Sequence, residues 1–442
     1  MTLFDSGMLE FPFTNQQYQS PQFRGLRSFE SFKNVSEGRN FMVVRQYPLK
    51  KEMAFSKSYF HFGYTEKFNF RERQRMREEL WLDMKRVIRM LVVGQSGSGK
   101  TFILRRLCDM ANGAKFYIVF LTDVKNEMRS SMESQRRFIP LLAKEDMPMP
   151  MKMKVYRPTF YTAYFDEELP EDNEPFQLKY SDLSLNDLLS LLNFTTPQTV
   201  DHANIVSLYY NYVDSLEELR QKIKEDEKVS KSMKEKISRR IEGLIRYKIC
   251  SKEGLGDIVQ ALKDDYVVVF NHQHFEDIAK GEFVTTPLVF FSVCQRIIRN
   301  AKEKYLDKKR RMLLVIDEAP VFLRMETTKE ELMRAVNQWR ILGIYILFAA
   351  QRADMLPNWV LTQSRYTFCA NNIDTQSLVC ILKAYQKADF HPSFTRDVSD
   401  TIRGMRTKAN GEREWYMVDG ILKEETIFFP YPPLSEHLEE TG

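Results

Sequence analysis

Residues 94–101 read Gly-Gln-Ser-Gly-Ser-Gly-Lys-Thr, set between an apolar run, Met90 to Val93, and a helix-forming stretch, Phe102 to Leu107. No other feature constrains the fold as tightly, because such a loop functions only between a strand and a helix. Gly94, Gly97 and Gly99 let the main chain turn its N–H groups inward, with Gln95, Ser96 and Ser98 between them. The following helix adds its positive N-terminal end. The cradle suits a phosphate chain. Lys100 can reach the β- and γ-phosphates, and Thr101 can hold Mg²⁺. The octapeptide therefore predicts a site for a nucleoside triphosphate.

A second apolar run, Met312 to Ile316, ends in the acids Asp317 and Glu318. A strand of this kind aims its first carboxylate at the magnesium shell and its second at the attacking water, as a general base. The pair points to hydrolysis rather than binding alone. A third run, Ile344 to Ala350, ends on Gln351, whose neutral amide can bond both phosphate and water. Arg340 stands just before that strand, on a predicted helix. At a subunit edge such an arginine can stabilise transition-state charge in a neighbouring site. The other reading is a cation at a helix C-terminus.

The 442 residues allow two or three domains, and 43% hydrophobic with 28% charged residues is ordinary for a soluble globular chain. The longest apolar stretch, Ile341 to Ala350, is too short to span a bilayer. The N-terminus carries Asp5 and Glu10 and lacks a signal-peptide pattern, so a cytoplasmic location is expected. Five scattered cysteines read as reduced, mostly buried thiols. The net charge of +5 permits a nucleic-acid partner without demanding one. His272 and His274 form the single close histidine pair and read as loop residues, because further metal ligands are lacking.

The expected fold class is α/β, with a nucleotide core over 89–155 and 260–425. Residues 156–259 read as a mainly helical insertion, in which Leu216, Leu219, Ile223, Val229, Met233, Ile237, Ile241 and Leu244 approximate one apolar face. Residues 1–88 read as an irregular arm or small domain, and Arg71, Arg73, Arg75 and Arg77 open a predicted helix ending near Arg89. Phe116 to Leu121 predicts a strand leading to Asp123 and Glu127, and Glu414 to Val418 with Thr426 to Phe429 predicts a hairpin. The tail, 426–442, is proline-rich toward its end and expected to be extended.

Together these residues resemble the HerA–FtsK superfamily of ring-forming ATPases over roughly 89–400. Leu313-Leu-Val-Ile-Asp-Glu-Ala-Pro is similar to the family's Asp-Glu-Ala-His strand. Trp339-Arg-Ile-Leu-Gly followed by a strand and Gln351-Arg-Ala-Asp resembles its Arg-Lys-x-Gly, strand, Gln-Arg-Pro-Ser block. Pro320 stands where the family usually has His, and Ala353 where it has Pro. The resemblance implies a RecA-like core of the ASCE type and a hexamer with ATP and Mg²⁺ at its interfaces. Double-stranded DNA would pass through the centre. By the same resemblance, Lys100, Thr101 and Asp317 bind MgATP, Glu318 activates water, Arg340 acts on the adjacent subunit and Gln351 senses the γ-phosphate. A nuclease or other DNA-processing partner is implied, but residues 1–88 lack the alternating strands of the bacterial and archaeal N-terminal barrel, which leaves docking of the usual nuclease open. Genome packaging, DNA transfer and nucleotide-gated binding of a protein remain alternatives.

Overall fold

The computed structural model describes residues 43–44, 59–69, 74–85, 89–124, 151–278, 285–323, 332–333, 339–386, 398, 400–402, 404–408, 413–420 and 424–430. The chain begins with β1 (Val43–Val44), β2 (Tyr59–Asn69) and β3 (Gln74–Asp83). β4 (Arg89–Val93) then leads through the glycine-rich loop into α1 (Lys100–Gly113). β5 (Tyr117–Asp123), β6 (Met153–Pro158) and β7 (Asn173–Phe176) follow. The short pair β8 (Leu178–Lys179) and β9 (Cys250–Ser251) brackets α2 (Leu185–Leu191), α3 (Val200–Tyr210), α4 (Leu216–Glu225) and α5 (Lys231–Arg246). The core resumes with β10 (Val267–Asn271), α6 (Thr286–Lys304), β11 (Met312–Ile316) and α7 (Ala319–Phe322). It closes with β12 (Ile344–Ala350), β13 (Tyr366–Ala370), β14 (Trp415–Asp419) and β15 (Glu424–Pro430).

Among the described residues, 13 strands make one sheet in the order β1-β3-β2-β15-β14-β13-β4-β12-β11-β5-β10-β6-β7. From β13 to β7 every neighbouring pair is parallel. The remaining pairs are antiparallel. Parallel pairing brings the C-terminal ends of β4, β5, β10, β11 and β12 to one edge, where ligands of open α/β sheets bind.

Each central strand is buried on both faces, which is why its sequence is a continuous apolar run rather than an alternating one. Met90, Val92, Leu313, Val315, Leu347 and Ala349 pack with Ile103, Leu104 and Leu107 of α1 and with Phe60, Phe62, Leu80 and Leu82 of the β2–β3 pair. Leu91, Val93, Leu314, Ile316, Ile346 and Phe348 face the other way, onto Phe291 and Ile298 of α6 and onto the insertion. The apolar face read across the insertion is buried at Leu216, Leu219, Ile223, Ile237, Ile241 and Leu244, now split between the antiparallel neighbours α4 and α5, while Val229 and Met233 are only half-buried.

Several local expectations differ. The stretch predicted as a helix from Arg71 to Arg89 is β3 where it is described, paired antiparallel with β2 from Asn69↔Gln74 to Tyr59↔Asp83. Arginines at every second position are the period of a strand, and Leu80, Trp81 and Leu82 bury its second half. β15 joins this pair to the core through Phe429↔Tyr64. The insertion contains strands as well, because β6 and β7 extend the parallel sheet past β10. The helical start placed at Asp182 is capped instead by Ser184, whose hydroxyl accepts from the Asp187 N–H. Residues 424–430 of the C-terminal segment are the last strand of the predicted hairpin, paired with β14. Beyond them, 431–442 lie outside the described residues.

Candidate active site

The loop after β4 has the backbone its sequence demands. Gly99 has φ +91°, and a Cβ on Gly94 would lie 2.6 Å from the Cβ of Ala370 and from the Ser98 hydroxyl. A side chain is excluded at Gly94 because the end of β13 closes over it. Lys100 is buried, and its Nζ donates to the carbonyls of Gly94 at 2.8 Å and Gln95 at 3.3 Å. The ammonium thus lies against the loop, within reach of an incoming phosphate. Ser98 is buried under the loop, with no hydrogen-bond partner for its hydroxyl.

The two acids follow β11, beside β12, which itself neighbours β4. Thr122 of β5 donates its hydroxyl to the Asp317 main-chain oxygen at 2.7 Å, and the Glu318 N–H donates to Asp317 Oδ1 at 3.0 Å. Burial, with the nearby charges of Glu318 and Asp123, raises the Asp317 carboxyl to about 7. Among the described residues no group of three or more His, Cys, Asp or Glu side chains converges as a metal cage. Asp123, 1% exposed, adds negative charge to the same place.

Glu318 has φ +47° and ψ +45°, the left-handed region that a non-glycine residue enters at a cost of about 1–3 kcal/mol. The turn starts α7 and leaves the carboxylate facing Gln351, whose Nε2 donates to Glu318 Oε1 at 2.6 Å. Gln351 follows β12 directly, so the ends of the two strands are tied by a side-chain bond at the site. Asp354, two positions past Arg352, pairs with it at 2.6 Å, and Ser377 donates its hydroxyl toward Asp354 while accepting from the Ala353 N–H. These bonds hold the segment after Gln351.

The structure gathers Gly94 to Thr101, Asp317, Glu318 and Gln351 at one sheet edge. Arg340 is elsewhere. It is exposed, in the turn before β12, and so lies at the opposite edge, about 20 Å along the strand from Gln351. Glu127 lies outside the described residues. His272 is a core residue rather than a loop histidine. Its Nδ1 lies 2.9 Å from the Tyr161 hydroxyl, and burial beside Arg157 pushes it down to about 3. All five cysteines are free, four of them buried and Cys380 half-buried. Sequence reading missed Thr122, which braces the acid turn, and Arg413, whose Nη1 donates to the Gly97 carbonyl at 2.5 Å. Both contacts cross long sequence separations, and no local pattern marks them.

A sheet ordered β13-β4-β12-β11-β5, with a phosphate loop after β4, acids after β11 and an amide after β12, defines a RecA-like P-loop nucleotide-binding core. Residues 74–285 match the family described as "Helicase HerA, central domain". VirB4 of Thermoanaerobacter pseudethanolicus shares the fold, with a TM-score of 0.52 at 12% identity over 80% of this chain and 93% of that one. The bacterial conjugative coupling protein TrwB matches with a TM-score of 0.41 at 12% identity, over 80% of this chain and 85% of that one. The genome packaging NTPase B204 from Sulfolobus turreted icosahedral virus 2, in complex with sulfate, matches with a TM-score of 0.33 at 12% identity, over 77% and 96%. Comparison with curated protein sequences gives no significant match. No helix among the described residues is long and apolar enough to cross a membrane.

Proposed function

We propose that this chain hydrolyses ATP as a ring motor and uses the energy to move along double-stranded DNA. The observation that carries the reading is the Glu318–Gln351 pair beside the phosphate loop. Glu318 is a carboxylate in a strained turn, with an acceptor oxygen available to orient water. Mg²⁺, held through Thr101 and Asp317, would neutralise charge on the transferring phosphoryl group. Lys100 would leave the loop carbonyls for the phosphates. Gln351 would exchange Glu318 for the γ-phosphate and report its loss along β12.

Arg340 lies too far from its own site to act there, so its catalytic role is in trans, on the nucleotide of an adjacent subunit. Its exposure beside Ile341, which is 88% exposed, supports this placement. The assembly we propose is a hexamer working in the cytoplasm, with DNA phosphates held by Lys and Arg so that binding ignores sequence and weakens with salt.

The test is steady-state ATPase activity with and without long duplex DNA, in wild type and in Glu318→Gln. Stimulation by DNA that disappears in the variant supports the motor; its absence in an assembled wild-type ring rejects it. One feature favours a second reading, a nucleotide-gated ATPase that binds a protein. Val200, Leu208 and Tyr212 of the insertion are 51%, 62% and 77% exposed, along and just past α3. Rates equal with and without DNA, yet lost in Glu318→Gln, would favour that reading.

A further inference from the structure

Resting on the nucleotide-site reading above, we propose that Arg413 is a cis nucleotide ligand that binds the phosphate next to the nucleoside, on the β13 side of the loop. Arg413 forms an isolated antiparallel bridge with Thr407 just before β14. Its Nη1 donates to the carbonyl of Gly97, in the middle of the phosphate loop, across 316 positions of sequence. At Gly97 nothing lies within 4 Å of where a Cβ would project, so the loop is open there.

The surroundings hold this arginine in place. Arg406 donates from its N–H and Nε to the two oxygens of Glu414, at 2.6 and 2.9 Å. Lys408 donates to Glu66 at 2.6 Å and to the Tyr64 hydroxyl at 2.9 Å. The Glu414 and Glu66 side chains are 8% and 7% exposed, so these ties are mostly shielded from water. Trp415 is buried, and its ring lies 3.8 Å from where a Cβ on Gly99 would stand. Between these anchored residues Arg413 is exposed, with no carboxylate partner among the described residues. One of its five donors lies on Gly97, and the planar fork suits a phosphate's paired oxygens.

The side of approach decides which phosphate it meets. β4 lies between β13 and β12. The hydrolytic groups Asp317, Glu318 and Gln351 all come from β11 and β12, so the γ-phosphate belongs on that side. The nucleoside end of the chain then lies toward β13 and β14, where Arg413 stands. The phosphate it binds is one that ADP and ATP share.

The test is equilibrium binding of ADP and of a non-hydrolysable ATP analogue to the full chain, for wild type, Lys100→Ala, Arg413→Ala and Arg413→Lys. Arg413→Ala is expected to weaken both ligands about tenfold and by the same factor, as for loss of a charge-assisted hydrogen bond. Arg413→Lys should fall between the two, keeping the charge without the fork. The ligand-free melting temperature of Arg413→Ala should match wild type. Unchanged ADP affinity, or loss confined to the ATP analogue, overturns the proposal. So does an affinity loss matched by a lower ligand-free melting temperature, which would assign a structural role. If wild type binds neither nucleotide, or Lys100→Ala binds as wild type does, the nucleotide-site reading fails and this proposal with it. Normal wild-type binding lost in Lys100→Ala but kept in Arg413→Ala rejects the Arg413 assignment alone.

Discussion

Gln351 donates its amide to Glu318 at 2.6 Å, so the residue proposed to sense the γ-phosphate holds the residue proposed to activate water. The bond joins the ends of β11 and β12, two neighbouring parallel strands. Any change that draws the amide away also frees the carboxylate.

Glu318→Gln keeps the size of the side chain and removes its basicity. It should lower the turnover number by about 10²–10⁴-fold while leaving nucleotide affinity near wild type, as for loss of a general base. Gln351→Ala should reduce turnover less, because the carboxylate remains but is no longer oriented. Single-turnover hydrolysis and equilibrium nucleotide binding, measured on both variants, separate these outcomes. Weakened binding in Glu318→Gln with unchanged turnover would contradict the assignment.

The Asp317 carboxyl titrates near 7 in the ligand-free fold, raised first by burial and then by Glu318 and Asp123. Its unfolded value is about 3.9. The folded state therefore holds the proton longer than the unfolded state does. The stability cost is absent below the unfolded value, grows between about 4 and about 7, and is complete above that. Asp317→Asn should raise the ligand-free melting temperature at pH 8 and change it little at pH 4. Thermal unfolding at the two pH values checks the sign. A destabilised variant at pH 8 would show that the buried charge is already compensated.

Arg365 ties the N-terminal strands to the core. Its guanidinium donates to the Asp83 main-chain oxygen at 2.8 Å and pairs with the Asp83 and Asp419 carboxylates at 3.2 and 3.4 Å. The Asp419 side chain is 0% exposed and the Arg365 side chain 6%. Arg365→Ala leaves buried charge without its partner and should cost about 3–5 kcal/mol. Denaturant unfolding of ligand-free protein measures it. A loss below 1 kcal/mol, the scale of a surface pair, would show that solvent reaches the cluster.

Gly94→Ala places a methyl group 2.6 Å from Ala370. Backbone-anchored atoms on both sides leave the loop as the part that must move. The variant should lose about 1–3 kcal/mol of stability and most of its nucleotide affinity. Binding of a fluorescent ATP analogue, read beside a melting curve, tests both.

Much of the core was legible because its determinants are local. The buried strands ending at Asp123, Asp317 and Gln351 were visible as apolar runs, and the phosphate loop as eight residues whose φ angles and donors are set within the octapeptide. The segment 71–89 misled because basic residues at every second position were read as a helix face when their period is that of a strand. β6 was missed because its alternation, Met153-Lys-Val-Tyr-Arg, is short and follows a proline-rich link.

By itself, the sequence determined the chemistry available to each strand end: the loop that takes phosphate, the acid pair and the amide. Only the tertiary structure decided which of these groups meet. Strand order set Gln351 on Glu318 and Arg413 on Gly97, and it put Arg340 at the far edge from its own site. Backbone geometry over a few residues is written in neighbouring side chains. Contacts across hundreds of positions depend instead on the burial of two faces of one sheet, to which every strand contributes at once.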